Sequence, residues 1–236
     1  SITSDITSQV LVNANGITLD GTGKTFYPNV GTGGKFISID TVSNIIIQNF
    51  NLVGDTNNQG INIKNADDII IKQNTFSDFG YGISATNYVS NLQIENNTFS
   101  TNSNSLEVTN SNGVTITDNI FEHCLYRCVN LQASNTSSLI SENTFSTSSS
   151  DIPTLFGNPV SFFTIQVGWG DDGVGTHTIS DNTLTGDGTS GLRLVSTGPT
   201  AVVTGNTFSN FIAAISICER LLNDADAMLP DCSPNT

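Results

Sequence analysis

The chain has 236 residues, 36 % apolar and 12 % charged, and carries a net charge of −14 from 7 Lys+Arg against 21 Asp+Glu. A nucleic-acid partner needs a basic stripe, which this balance excludes, and no apolar run approaches bilayer-spanning length, so no membrane insertion is expected. The negative mean field also weighs against a strongly anionic polysaccharide, unless metal ions bridge the two or a local basic cluster overrides it.

In chain order, Ser1 to Asn15 reads as a cap over the first coil. Ser1-Ile2-Thr3-Ser4-Asp5 lacks the basic region and apolar core of a signal peptide, as in an already mature chain. A short phrase then recurs: Asn74-Thr75-Phe76-Ser77, Asn97-Thr98-Phe99-Ser100, Asn119-Ile120-Phe121-Glu122, Asn143-Thr144-Phe145-Ser146, Asn182-Thr183-Leu184-Thr185 and Asn206-Thr207-Phe208-Ser209. The steps are 23, 22, 24, 39 and 24 residues. That period is too short for a two-helix repeat and fits one coil of short strands and tight turns. In one coil the pattern predicts a first strand over Gly60-Ile61-Asn62-Ile63-Lys64 and a turn at Asn65-Ala66-Asp67-Asp68. A second strand runs from Ile69 to Gln73, Asn74 makes a bend, and a third strand runs from Thr75 to Phe79.

The period of two turns Ile61, Ile63, Ile69, Ile71 and Phe76 inward. Above them lie Ile83, Ala85, Leu92, Ile94 and Phe99, then Leu106, Val108, Val114, Ile116 and Phe121. Burial of these columns drives the fold, and the repeated Asn can bond the coils above and below it. The expected fold class is all-β: a single parallel β-helix of about nine coils. Residues 1–15 form the N-terminal cap, 16–218 the coils, and 219–236 a C-terminal cap. A short helix from Glu219 to Leu229, ended by Pro230, is expected in that last segment.

Four Cys residues in such a chain suggest disulfides and an oxidising compartment, hence a secreted or cell-surface location. Among three connectivities, Cys124–Cys128 clamping one turn and Cys218–Cys232 pinning the tail are favoured. A zinc site from His123, Cys124 and Cys128 matches no common spacing.

The column Asn74, Asn97, Asn119, Asn143, Asn182, Asn206 with its Phe or Leu partners resembles the right-handed parallel β-helix family. That family is typified by pectate lyases, polysaccharide lyases, C5-epimerases and phage tailspikes. The opening phrase Ile17-Thr18-Leu19-Asp20-Gly21-Thr22-Gly23-Lys24 looks like the first coil of such proteins, and the resemblance covers about residues 10–218. It implies a right-handed helix and, as in the family's lyases and epimerases, a substrate groove along the first-strand face. It implies no single activity, because the repeat is a packing device. Tyr81-Gly82 leads into Ile83-Ser84 where the epimerases have Asp-Pro-His, and the polygalacturonase pattern of paired Asp with Gly-His-Gly is absent.

Function concentrates on insertions and on the outward face of a rigid scaffold. Two insertions, Thr147 to Ser161 and Val167 to Thr176, flank the first strand of the seventh coil. Outward positions of the first-strand sheet are Ser38, Asn62, Ser84, Glu107, Asn130, Thr164 or Gln166, Arg193 and Ser216, beside Asp40, Lys64, Thr86, Thr109 and Gln132. Asn130, Gln132, Gln166 and Arg193 suit hydroxyl groups of a substrate. Trp169 either stacks on a sugar ring or plugs the core. Asp171 and Asp172 offer oxygens to Ca2+ or form a solvated acidic turn.

Arg127, His123, Tyr126 and Glu107 are the candidates for catalysis. A β-eliminating lyase must neutralise a uronate carboxylate, remove the C5 proton and protonate the leaving oxygen. The expectation is an extracellular polysaccharide-interacting β-helix, and if an enzyme then a polysaccharide lyase or glycoside hydrolase. A non-catalytic adhesive or structural surface protein is the alternative. Ice binding is the third reading, through the ladder Thr75, Thr98, Thr144, Thr183, Thr207 that Ile120 and Glu122 interrupt.

Overall fold

Short β-branched runs separated by Asn- and Gly-rich corners have no helical period, and in the computed structural model they wind into a parallel β-solenoid. The structure describes residues 8–27, 31–132, 135–148, 154–155, 158–159, 163–169, 175–196, 200–219 and 231–235. Three parallel sheets form three faces. The first stacks Val10–Val12, Lys35–Asp40, Gln59–Lys64, Tyr81–Thr86, Asn104–Thr109, Arg127–Gln132, Phe163–Trp169, Ser190–Ser196 and Ala213–Glu219. The second runs from Thr18–Asp20 to Thr200–Thr204, and the third from Thr25–Phe26 to Thr207–Ser209.

Eight coils are complete among the described residues, and Ala213–Glu219 adds a ninth first-face strand, slightly short of the nine coils expected. The coiling stops there because the next described strand, Asp231–Asn235, pairs antiparallel with Ala213–Glu219. No helix occurs among the described residues, and none is long and apolar enough to cross a membrane. The helix expected from Glu219 to Leu229 falls, past Glu219, outside the described residues. Val10–Val12, expected within the cap, is the lowest rung of the first face.

The corners need left-handed backbone, which Asn and Asp adopt most readily after Gly. After the first face the chain turns at Asn65, Asn87 and Asn110 with φ of 47°, 62° and 51°. Before the third face the repeated Asn supplies a ladder. Asn97 Nδ2 donates to Ile71 O (2.8 Å), and its Oδ1 accepts from the Asn74 backbone N–H (2.9 Å). Asn74, Asn119, Asn143, Asn182 and Asn206 repeat this bonding. Asn102 and Asn135 serve two further corners in the same way.

Inside, like sits on like. Phe76, Phe99, Phe121 and Phe145 stack with centroids 4.8, 4.9 and 4.7 Å apart and planes within 7°. All four are fully buried, as are the Ile, Leu and Val columns beside them. Cys124 and Cys128 form a disulfide that closes the corner entering the sixth first-face strand, with Cα atoms 5.4 Å apart. Cys218 lies opposite Cys232 in the closing antiparallel pair, while the side chains of both fall outside the described residues.

Candidate site on the first face

Register fixes which side chains share the outer surface of the first face. One column is Lys35, Gln59, Tyr81, Asn104, Arg127, Phe163 and Ser190. The next is Ser38, Asn62, Ser84, Glu107, Asn130, Gln166, Arg193 and Ser216. A third begins Asp40, Lys64, Thr86 and continues with Thr109 and Gln132. Between Thr164 and Gln166, which the sequence left open, the structure selects Gln166. Thr164 is fully buried and bonds Ser190 O and the Thr147 hydroxyl.

The middle of this surface is polar yet withdrawn from solvent. Asn104, Asn130, Gln166 and Arg193 are 7 %, 0 %, 0 % and 4 % exposed. Gln166 Nε2 donates to Asn130 Oδ1 at 3.2 Å, and among the described residues Asn130 Nδ2 and Gln166 Oε1 meet no further partner. Gln59 Oε1, Asn104 Oδ1 and Arg127 Nε are likewise buried with no partner among the described residues. Native proteins rarely leave such groups orphaned, since each costs about 1–3 kcal/mol.

Tyr81, Glu107, Arg127 and Arg193 stand on the fourth, fifth, sixth and eighth rungs, after Lys35, Asp40 and Lys64 on the second and third. Arg127 donates from Nη2 to Tyr126 Oη at 2.7 Å, and its guanidinium lies 4.0 Å from the Tyr126 ring centroid. Arg193 stacks 4.6 Å from the Phe163 ring centroid. Burial pushes the Glu107 carboxyl above its ordinary range, with the Arg127 charge pulling the other way. The Tyr81 phenol is raised by burial and then by Glu107. Burial lowers both Arg127 and Arg193, and Arg127 lowers Arg193 further, although guanidinium groups keep their charge.

Glu107, Tyr126 and Arg127 are therefore brought together, with Asn130, Gln166 and Arg193 alongside. His123 stands apart at the exposed corner that ends the third face, with φ of 52° and its N–H on Ser146 O. Gln132 is half-buried on the third column, opposite Trp169 after a register shift between Leu131 and Gln132. The Trp169 side chain, Asp171 and Asp172 lie outside the described residues, as does most of the insertion from Thr147 to Ser161. Within that insertion Thr154–Leu155 pairs antiparallel with Asn158–Pro159. Tyr81, Asn104 and Phe163 join the site although the sequence reading did not single them out. Aligning the coils at the residue that opens each first strand would have shown them as one column. On the third face the ladder Thr75, Thr98, Ile120, Thr144, Thr183, Thr207 is in register, with Ile120 43 % exposed inside it.

The family model described as "Right handed beta helix region" matches residues 10–208. No curated protein matches the chain. Among solved structures, the chain is similar to PfbA, a surface adhesin of Streptococcus pneumoniae (TM-score 0.58, 13 % identity, covering 96 % of this chain and 65 % of that one). It is also similar to a tailspike protein mutant of E. coli bacteriophage HK620 in complex with a pentasaccharide (TM-score 0.57, 11 % identity, 91 % and 43 %). A third is DFA-IIIase from Arthrobacter chlorophenolicus A6 without its lid (TM-score 0.53, 14 % identity, 92 % and 62 %). The chain spans less than two thirds of the length of each, and at these identities the likeness shows the fold alone.

Proposed function

The chain belongs to the right-handed β-helix family, and from that premise we propose that its first face binds a polysaccharide laid across the rungs from Gln59 to Arg193. The observation that carries this reading is the set of part-exposed polar and charged side chains on the outward columns, Gln59, Tyr81, Glu107 and Arg127, backed by the buried amides of Asn104, Asn130 and Gln166. It contains both donors and acceptors, and a sugar hydroxyl serves either. The rung spacing of about 4.8 Å offers similar groups to successive sugars of an extended chain. An oxidising, extracellular or surface setting suits the Cys124–Cys128 disulfide.

Four of the seven cationic side chains, Lys35, Lys64, Arg127 and Arg193, stand on the outward columns of this face, against Asp40 and Glu107 among the described residues. The face is thus locally basic in a chain of net charge −14, and a uronate-bearing glycan fits it.

Cleavage here would be an elimination. Glu107 is the sole carboxylate on these columns from the third rung to the eighth among the described residues. Asp40 lies three rungs away, roughly 14 Å, beyond the separation that two-carboxylate hydrolysis uses. In the elimination, Arg127 neutralises the uronate carboxylate, and Tyr126, acting as the phenolate toward which Arg127 Nη2 donates, takes the C5 proton and becomes the phenol. The C5–H and C4–O bonds break, a C4=C5 double bond forms, and Glu107, biased toward its protonated form, protonates the leaving oxygen. His123 takes no part in this assignment.

Calorimetric titration with polyuronates and neutral glycans, paired with ultraviolet absorbance of unsaturated products, tests the reading. Arg127→Ala and Asn130→Ala, with circular dichroism intact, should each weaken polyuronate binding about tenfold or more, the size of one lost charged or buried hydrogen bond. No binding across the panel, or equal binding in both variants, would remove this face as the site. Binding without unsaturated product would leave a non-catalytic, adhesive role.

A further inference from the structure

Tyr88 has no part in the first face, yet it is 80 % exposed and held at φ 66°, directly after Asn87 at φ 62°. A bulky side chain in the left-handed region carries strain of about 1–3 kcal/mol, which burial does not offset here. The residue is also an insertion. Lys64 pairs with Thr86 and Asp67 with Ser90, so Asn65 and Ala66 face three residues, Asn87, Tyr88 and Val89. On the other side Ala85 pairs with Val108 and Val89 with Ser111, so Thr109 and Asn110 again face three residues. The fourth coil therefore carries one residue more at this corner than either neighbour, and the surplus projects an aromatic ring.

Tyr88 lines a cleft of about 460 Å3 together with Asp67, Ser90, Asn110, Asn112 and Thr136. Its polar groups are partly pre-set. Ser90 Oγ donates to Asp67 Oδ1, and Asn112 Oδ1 accepts from the Thr136 hydroxyl and, at 3.3 Å, from Ser137 Oγ. These bonds engage the Asn112 carbonyl oxygen and one Asp67 oxygen. Asp67 is the one charged residue among the described lining residues, and its charge disfavours an anionic chain there.

We propose that this corner is a second carbohydrate site, taking the ring of a neutral hexose: its C–H face packs on Tyr88 while its hydroxyls bond Asp67, Asn110 and Asn112. The site stands on the Tyr88 corner alone and is independent of the first-face reading. An amphipathic ring stacking on an exposed aromatic with amide and carboxylate partners at its edge is a common mode of sugar recognition.

Titration with cellohexaose, mannohexaose and galactohexaose, followed by saturation-transfer NMR, tests the proposal on the intact chain. At least one should bind with transfer from a tyrosine ring, and Tyr88→Ala should weaken it about tenfold or more while retaining any polyuronate binding of the first face. Asn112→Ala, from the next coil, should also weaken it and decides the matter if Tyr88→Ala does not fold. No binding of any of the three, or unchanged binding in a folded Tyr88→Ala variant, overturns the second site whatever the first face does.

Discussion

Asn119 ties three coils together with one amide. Its Nδ2 donates to Ile94 O, Thr117 O and Asn143 Oδ1 at 2.8, 2.9 and 3.0 Å, and its Oδ1 accepts the Asn97 backbone N–H at 2.9 Å. Asn119→Ala strands several buried groups at once and should cost roughly 3 kcal/mol or more, read as a fall in the denaturant midpoint without a change in slope. Two titrating residues act in opposite senses. His177 is 2 % exposed, contacts Ser138 Oγ through Nδ1 at 2.7 Å, and is lowered by burial below its ordinary value of 6.5. Being neutral when folded, it contributes stability that is complete above pH 6.5 and drains away as pH falls through its depressed value. Glu107 is raised above 4.5, so its contribution is complete below that pH and is lost as pH rises through the elevated value. Glu107→Gln should therefore stabilise the fold at neutral pH, and His177→Leu should remove part of the loss on mild acidification. Thermal melts between about pH 4 and 8 check both signs.

At the level of strands, the Phe stack and the aliphatic columns carry the fold. Phe121, fully buried between Phe99 and Phe145, is the sharpest probe. Phe121→Ala should cost about 3–5 kcal/mol, and hydrogen exchange should show the loosening centred on the fourth to sixth coils, because each coil contacts only its neighbours. These columns were legible in the sequence because alternation with a period of two names them without ambiguity. The flank of the site was not, and the reason is local. Gly82 and Ile83 both face the core: a Cβ on Gly82 would approach the Phe99 ring at 3.2 Å and Ser105 O at 2.7 Å. That double step shifts the phase of alternation, so counting back from Ile83 sends Tyr81 inward when it stands outward beside Glu107. Cys128 and Val129 repeat the step, which hides Phe163's column partner Arg127 from the same count. Arg127 was found instead by the density of ionisable residues around it.

Among the described residues the first face differs in charge from the chain as a whole. Acidic residues outnumber basic ones 21 to 7, while the first face keeps four of the seven cations. Raising NaCl from about 0.1 to 1 M shortens the screening length from about 10 to 3 Å. Polyuronate binding should weaken accordingly, and neutral-sugar binding at the Tyr88 corner should hardly change. Titrations at the two salt levels separate the faces. Fold class was readable because a repeat imposes itself on every coil. Chemistry was not, because it depends on which rungs lie beside which, and a 39-residue step hides that adjacency until register is known.

The strand Asp231–Asn235 has a consequence for the open edge of the first face. A stack of parallel strands ends in a row of free amides and carbonyls that a second molecule can extend. Here the last rung is met by a strand running the opposite way, and Pro234, opposite Ser216, brings no N–H to its outer side or inner. Trimming the chain before Asp231 should uncover that template. Light scattering should then show rods lengthening with protein concentration, whereas the full chain stays dispersed.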